Sequence, residues 1–166
     1  ERVGRGLNSV NRDEFTLSSK IGRLVRKGPR TAPDEIQLNG EPYYYAKPEM
    51  MLVSDYSYDA AFRSIEESLT RLNLERVDIA YIHDPDLHFE DASKGACKAL
   101  RELRDQGVVG AIGAGMNQWE MLSDFLDVID FDIVLLAGRY SLLEQPALGT
   151  FLPKCLKQNC KIALGG

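Results

Sequence analysis

Short apolar runs recur along the chain, separated by longer stretches in which apolar residues return every three or four positions. Residues 15–20, 77–83, 108–113, 132–137 and 161–164 are short, apolar and bounded by Gly, Asp or Asn. That pattern predicts buried parallel strands. Between them, residues 58–74 carry Phe62, Ile65, Leu69 and Leu72 at helical spacing, with Arg63, Glu66, Glu67 and Arg71 on the opposite face. Residues 92–106 carry Ala96, Ala99, Leu100 and Leu103, and Gly107 suits the position just past a helix end. Residues 118–129 carry Leu122, Phe125, Leu126 and Ile129. Residues 147–159 carry Leu148, Phe151, Leu152 and Cys155. Pro153 predicts that this last helix becomes regular near Thr150, with the proline in its first turn.

Strict alternation of strand and helix predicts a parallel sheet with right-handed crossovers. A doubly wound sheet and a (β/α)8 barrel both satisfy it. No G-x-G-x-x-G follows any strand, which removes the main sign of a Rossmann dinucleotide site. Residues 21–57 break the rhythm. They contain Pro29, Pro33, Pro42, Pro48, Gly28, Gly40 and the cluster Tyr43, Tyr44, Tyr45. A loop this long after a strand lies at the carboxyl edge of the sheet, where it reads as a lid or substrate-facing loop or as a disordered insertion.

The 166 residues, 44% of them hydrophobic, are enough for one domain with a real core. No apolar run approaches a membrane span, and no apolar segment follows the charged start as in a signal peptide. The net charge of −5 has its signs interspersed, so nucleic acid is not an expected partner. Cys97, Cys155 and Cys160 are odd in number and lack paired spacing. Placed on one helix, Cys155 and Cys160 would point in different directions. They read as buried thiols in a reducing cytoplasm.

In either architecture the chemistry sits at strand carboxyl ends. Lys20 stands there, as a cation able to lower a neighbour's pKa or as a side chain that snorkels to water. His83 stands there as a hydrogen-bonding or acid/base group, or as a satisfied core histidine. His83, Asp84, Asp86 and His88 together could hold a metal, but no third histidine supports them. Asn117 could cap the next helix or bind a ligand amide. Tyr140 follows the fourth strand.

These pieces resemble the aldo-keto reductase superfamily. The stretch SIEESLTRLNLERVDIAYIH, ending at His83, resembles the family's S-L-x-x-S-L-x-R-L-x-x-D-Y-V-D-L-x-x-I-H run. Residues 15–20 resemble its I-T-S-K strand, residues 111–117 its I-G-V-S-N turn, and residues 139–144 its Y-N-L-L-D turn. Asp55 to Asp59 and Gly115 to Gln118 resemble the bacterial aldose dehydrogenase branch. The resemblance implies a (β/α)8 barrel, with this chain carrying about its third to seventh strands in a single partial domain. It implies an NAD(P)-dependent oxidoreductase acting on a sugar or aldehyde. Lys20 and His83 match the family's catalytic lysine and histidine. Asn117 matches the asparagine that holds the nicotinamide carboxamide, and Tyr140 falls at the cofactor side.

The departures are specific. The family's catalytic aspartate and tyrosine belong before Glu1, and its cofactor phosphate segment beyond Gly166, so a longer parent enzyme is expected. Ala137 replaces the usual glutamine, and Asp84 the common aromatic after the histidine. Two other readings stand beside the enzyme: a non-catalytic cofactor-sensing barrel that regulates a partner, and a metal-dependent hydrolase using His83 and His88.

Overall fold

Burial of the apolar stripes organises the chain into alternating strands and helices. The computed structural model describes residues 2–28, 37–42 and 49–165. A short helix α1 (Arg2–Leu7) leads to β1 (Ser18–Ile21). Four further strands follow: β2 (Arg23–Lys27), β3 (Gln37–Leu38), β4 (Glu41–Pro42) and β5 (Met50–Ser54). Then come α2 (Tyr58–Leu72) and β6 (Val77–His83). A helical stretch runs from α3 (Phe89–Asp91) through a wider π turn (Ala92–Ala96) into α4 (Cys97–Asp105). It is followed by β7 (Val109–Met116), α5 (Trp119–Val128), β8 (Ile133–Ala137), α6 (Phe151–Lys157) and β9 (Lys161–Gly165).

β1, β6, β7, β8 and β9 form one sheet in that order, every neighbouring pair parallel. Each new strand adds on the same side. With right-handed crossovers, an order that never reverses puts all the helices on one face. That is the winding of a barrel; a doubly wound sheet turns back at a switch point. The topology therefore decides between the two architectures that the alternation left open.

The two faces differ as this winding demands. Ala80, Ile82, Ile112, Ala114, Met116, Val134 and Leu136 point to the helices and are buried against Ile65, Leu100, Leu122, Phe125 and Phe151. The alternate positions form the concave face. Ile79, Ile133, Leu135 and Ala137 there are only half-buried. Gly113 lets β7 approach β8, since a Cβ at this position would lie 1.6 Å from the Ile133 carbonyl oxygen.

At the amino ends of the strands one device appears twice. Asp78 accepts from the backbone N–H of Leu17 and from Arg12, both at 2.7 Å. Asp132 accepts from the backbone N–H of Ile112 at 2.8 Å and from Arg104 at 2.7 Å. Each aspartate ties the start of its strand to an adjacent one and anchors a cation. Burial raises the Asp78 pKa, but the Leu17 N–H and Arg12 outweigh it and hold the carboxyl below its ordinary value.

Several boundaries move from their predicted places, each for a local reason. β1 begins at Ser18 instead of residue 15, because the Leu17 N–H is taken by the Asp78 side chain. It ends at Ile21, one residue past Lys20. β7 runs three residues beyond 113, since Ala114 and Gly115 still pair with β6. α2 stops at Leu72 because Asn73 turns left-handed at φ 57°. The third helical stretch starts three residues early, at Phe89. Cys155 and Cys160 do not share a helix. Asn159, at φ 55°, ends α6, and the N–H of Cys160 bonds back to the Cys155 carbonyl at 2.9 Å. This Schellman turn folds the two thiols together, and Cys155 is the largest cause pushing the Cys160 thiol up.

Within residues 21–57, β2 pairs antiparallel with β5, and β3 with β4. The cluster Tyr43, Tyr44, Tyr45, with Pro29, Pro33 and Pro48, lies outside the described residues.

Asp78→Ala should lower folding stability by about 2–3 kcal/mol, the cost of losing two charge-assisted hydrogen bonds. Urea unfolding measures it. At low pH wild type and variant should converge, because the depressed Asp78 pKa stabilises the fold only while the carboxylate is ionised.

Candidate active site

In a parallel ladder, side chains alternate faces, so register decides what the mouth of the sheet contains. Lys20 pairs with Tyr81 across β1 and β6. His83 stands two residues further along β6, on the same concave face. Strand spacing and rise place their Cα atoms about 8 Å apart. The Lys20 side chain is exposed, while His83 is largely enclosed. Tyr81, buried beside Lys20, stands one step before His83 on the same face. Burial, then Cys160, pushes its phenol above the ordinary value, so it is not poised to give up a proton.

The imidazole of His83 is held neutral. Burial is the largest cause, followed by the charges of Arg23 and, more weakly, Lys20. Asp84 opposes them, and the net result is a pKa pushed down to about 4. Asp84 also shapes the mouth. Its backbone is left-handed, at φ 43°, and its N–H bonds to the Gly115 carbonyl at 3.0 Å. One carboxylate oxygen lies 2.7 Å from Arg23 Nη2 and 3.2 Å from His83 Nε2.

Tyr56 locks this corner from beneath. Its buried hydroxyl lies 2.6 Å from the His83 carbonyl oxygen and 2.8 Å from that of Asp84, and shares its proton between them. Burial and the carboxylates push its pKa up to about 12. Gly22, at φ 102°, lies flat against the ring, where a Cβ would come within 2.2 Å. The ribbon of β2 and β5 thus stands with both feet at the His83 end of β6.

A cavity of about 390 Å³ opens here, lined by Arg23, Ser54, Asp84, Asp86, Leu87, His88, Asn117 and Gln118. All but Leu87 carry hydrogen-bonding side chains. Oδ1 of Asp86 is buried and has no hydrogen-bond partner among the described residues. Asn117 does not cap α5; Gln118 takes the cap position, and the Asn117 amide donates to the Ala137 carbonyl at 2.8 Å, bridging the ends of β7 and β8. Of the predicted site residues Asn117 lines this cavity, whereas Lys20, His83 and Tyr140 do not, and Tyr140 packs partly buried against the main hydrophobic cluster. His88 stacks on Tyr56 at 5.0 Å between ring centres. Among the described residues, no three His, Cys, Asp or Glu side chains gather as metal ligands. Arg23 and Tyr56 escaped the sequence reading. Asp-Pro at 84–85 and Gly22 straight after β1 were the turn signals that marked their corner.

The Aldo/keto reductase family profile matches residues 1–164. The chain belongs to the aldo/keto reductase family. It is 38% identical over 156 residues to D-threo-aldose 1-dehydrogenase of a Pseudomonas species, covering 93% of this chain and 47% of that protein. It is 34% identical to pyridoxal 4-dehydrogenase of Microbacterium luteolum, covering 93% and 49%. An aldo-keto reductase of Bacillus halodurans superposes with a TM-score of 0.68 at 17% identity, over 98% of this chain and 46% of that one. A glycerol dehydrogenase of Gluconobacter oxydans gives 0.66 at 20%, over 98% and 43%. This aldo/keto reductase chain spans about half the length of the curated relatives it matches. Its five-stranded parallel sheet is an arc of the family's (β/α)8 barrel.

Stability should fall as pH drops from about 6.5 to about 4, since the unfolded chain takes up a proton there that folded His83 refuses. Thermal melts of His83→Gln should show a shallower decline over that window. An unchanged slope would contradict the buried neutral imidazole.

Proposed function

We propose that this chain supplies the lysine and histidine of an NAD(P)-dependent oxidoreductase acting on a sugar or aldehyde. It would oxidise the C1 hydroxyl of an aldose to a lactone, or reduce a carbonyl in reverse. The observation that carries this reading is the placement of Lys20 and His83 one step apart on the concave face at the strand carboxyl ends. A neutral imidazole there can share a hydrogen bond with a substrate oxygen. Lys20 supplies the positive charge that lowers the pKa of a nearby acid/base group.

On the concave face beside His83, Gly115 and Ala163 flank Leu135, whose side chain lies over Gly115; one step above, Ala137 and Gly165 form a shelf of small residues that suits a flat ring. Asn117, at the rim of this shelf, would hold a nicotinamide carboxamide, and Tyr140 would lie on the cofactor side. When bound, NAD(P) accepts or delivers the hydride. The chain's own part is to seat the substrate oxygen at His83 and keep a cation behind it.

The polar cavity favours a hydroxyl-rich substrate. Asp84, Asp86, Asn117 and Gln118 line it, and their side chains hydrogen-bond hydroxyl groups. The relatives named as acting on aldose and pyridoxal accord with a polar carbonyl or alcohol. Three buried free thiols suit a reducing compartment, and we place the enzyme in the cytoplasm.

The test follows nicotinamide absorbance with aldoses and simple aldehydes. Lys20→Met should lower kcat by about 10²–10⁴-fold with cofactor binding retained. Absence of both nicotinamide binding and turnover in the wild type would overturn the reading. Asp86→Ala should raise KM for a hydroxylated sugar by about tenfold or more, the worth of one charge-assisted hydrogen bond. It should leave KM for an unhydroxylated aldehyde unchanged.

A further inference from the structure

The corner of the mouth beyond β6 is more elaborate than a hydrogen-bonding histidine requires. The chain turns left-handed at Asp84, a conformation costly for most residues. The Tyr56 hydroxyl lies within hydrogen-bond reach of the two carbonyls that flank the Asp84 Cα, those of His83 and Asp84. The Asp84 N–H is taken by Gly115 on the neighbouring strand. With the backbone tied at three points, the Asp84 carboxylate reaches both Arg23 and His83 with a single oxygen.

We propose that Asp84 is a positioning residue for His83: clamped by Tyr56 and paired with Arg23, it fixes the imidazole at the mouth and sets the charge the imidazole feels. The inference rests on His83 being a site residue.

Three charged side chains face His83 among the described residues. Lys20 comes from β1, Arg23 from β2 and Asp84 from the end of β6 itself. Two are cations, and Asp84 alone opposes them. At 3.2 Å it offers the imidazole a fixed negative neighbour, while at 2.7 Å it absorbs part of the Arg23 charge. The same pair joins the foot of the β2–β5 ribbon to the site, since Arg23 opens β2 directly after Gly22. Positioning of the histidine and placement of the ribbon therefore depend on one carboxylate.

The experiment is a pH titration of the two imidazoles by two-dimensional ¹H–¹⁵N NMR, with His88→Gln assigning the pair. It is run on wild type, Asp84→Asn and Arg23→Gln. Asparagine tolerates a positive φ as well as aspartate does, so the first variant keeps the backbone turn. Arg23→Gln keeps a polar group on β2. The wild-type His83 midpoint should lie near 4. Asp84→Asn should move it down by about one pH unit, and Arg23→Gln should move it up by a similar amount. Opposite signs are the signature of charge, whereas general loosening moves both toward the ordinary value of about 6.5. A shift toward 6.5 in both variants, or no shift in either, would overturn the proposal. Titration needs no turnover, so failure to oxidise any sugar would sink the preceding reading and leave this one standing.

Discussion

The pairing of Lys20 with Tyr81 in the parallel β1–β6 ladder is the constraint on which the site depends. Side chains on a strand alternate with a period of two, so a slip of one residue would exchange the two faces of β1. Lys20 would then enter the helix-facing layer beside Ile82 and Ala80, which is dry. A lone ammonium in such a layer costs several kcal/mol or neutralises. Ile21 would take its place on the open concave face. Apolar burial of Ile21 and hydration of Lys20 therefore select the same register. The Asp78 bond to the Leu17 N–H fixes it from the amino end.

The two ends of the strands divide the work. At the amino ends, Asp78 and Asp132 spend their charge on backbone N–H groups and on arginines, and hold neighbouring strands in step. At the carboxyl ends, Asp84 and Asp86 line a cavity, with Asp84 in contact with His83 and Arg23. The same residue type thus acts as fastener at one end and lines a cavity at the other. The difference lies in whether a backbone donor is within reach. On the concave face Ala137, Ala163 and Gly165 are small, while Leu135 packs over Gly115 beside His83.

Long periodic elements were legible from residues alone. β6 runs from Val77 to His83 as its apolar pattern indicates, and the Phe125 and Leu100 stripes define α5 and α4. His83 was legible as the residue that closes an apolar strand at its carboxyl end, and β6 does end there. The corner around it was not. Arg23 and Tyr56 are separated from Asp84 by 61 and 28 residues, and only the closed ribbon brings them to it. The ribbon itself was hidden by the Pro- and Gly-rich segment between its strands. The Cys155–Cys160 contact was missed because helical geometry was extended through Asn159, whose left-handed turn ends the helix. The role of Asn117 was misjudged in its capping alternative, since its amide serves the Ala137 carbonyl instead. In each case the missing information was tertiary: which partner a local group finds once the sheet has closed around it.

One result bears most directly on the shared concave face: the titration of His83 in Lys20→Met. If the ammonium stands one step from the imidazole, its removal must raise the His83 midpoint above that of the wild type. A midpoint unchanged by the loss of that charge would place the two groups apart and contradict the account.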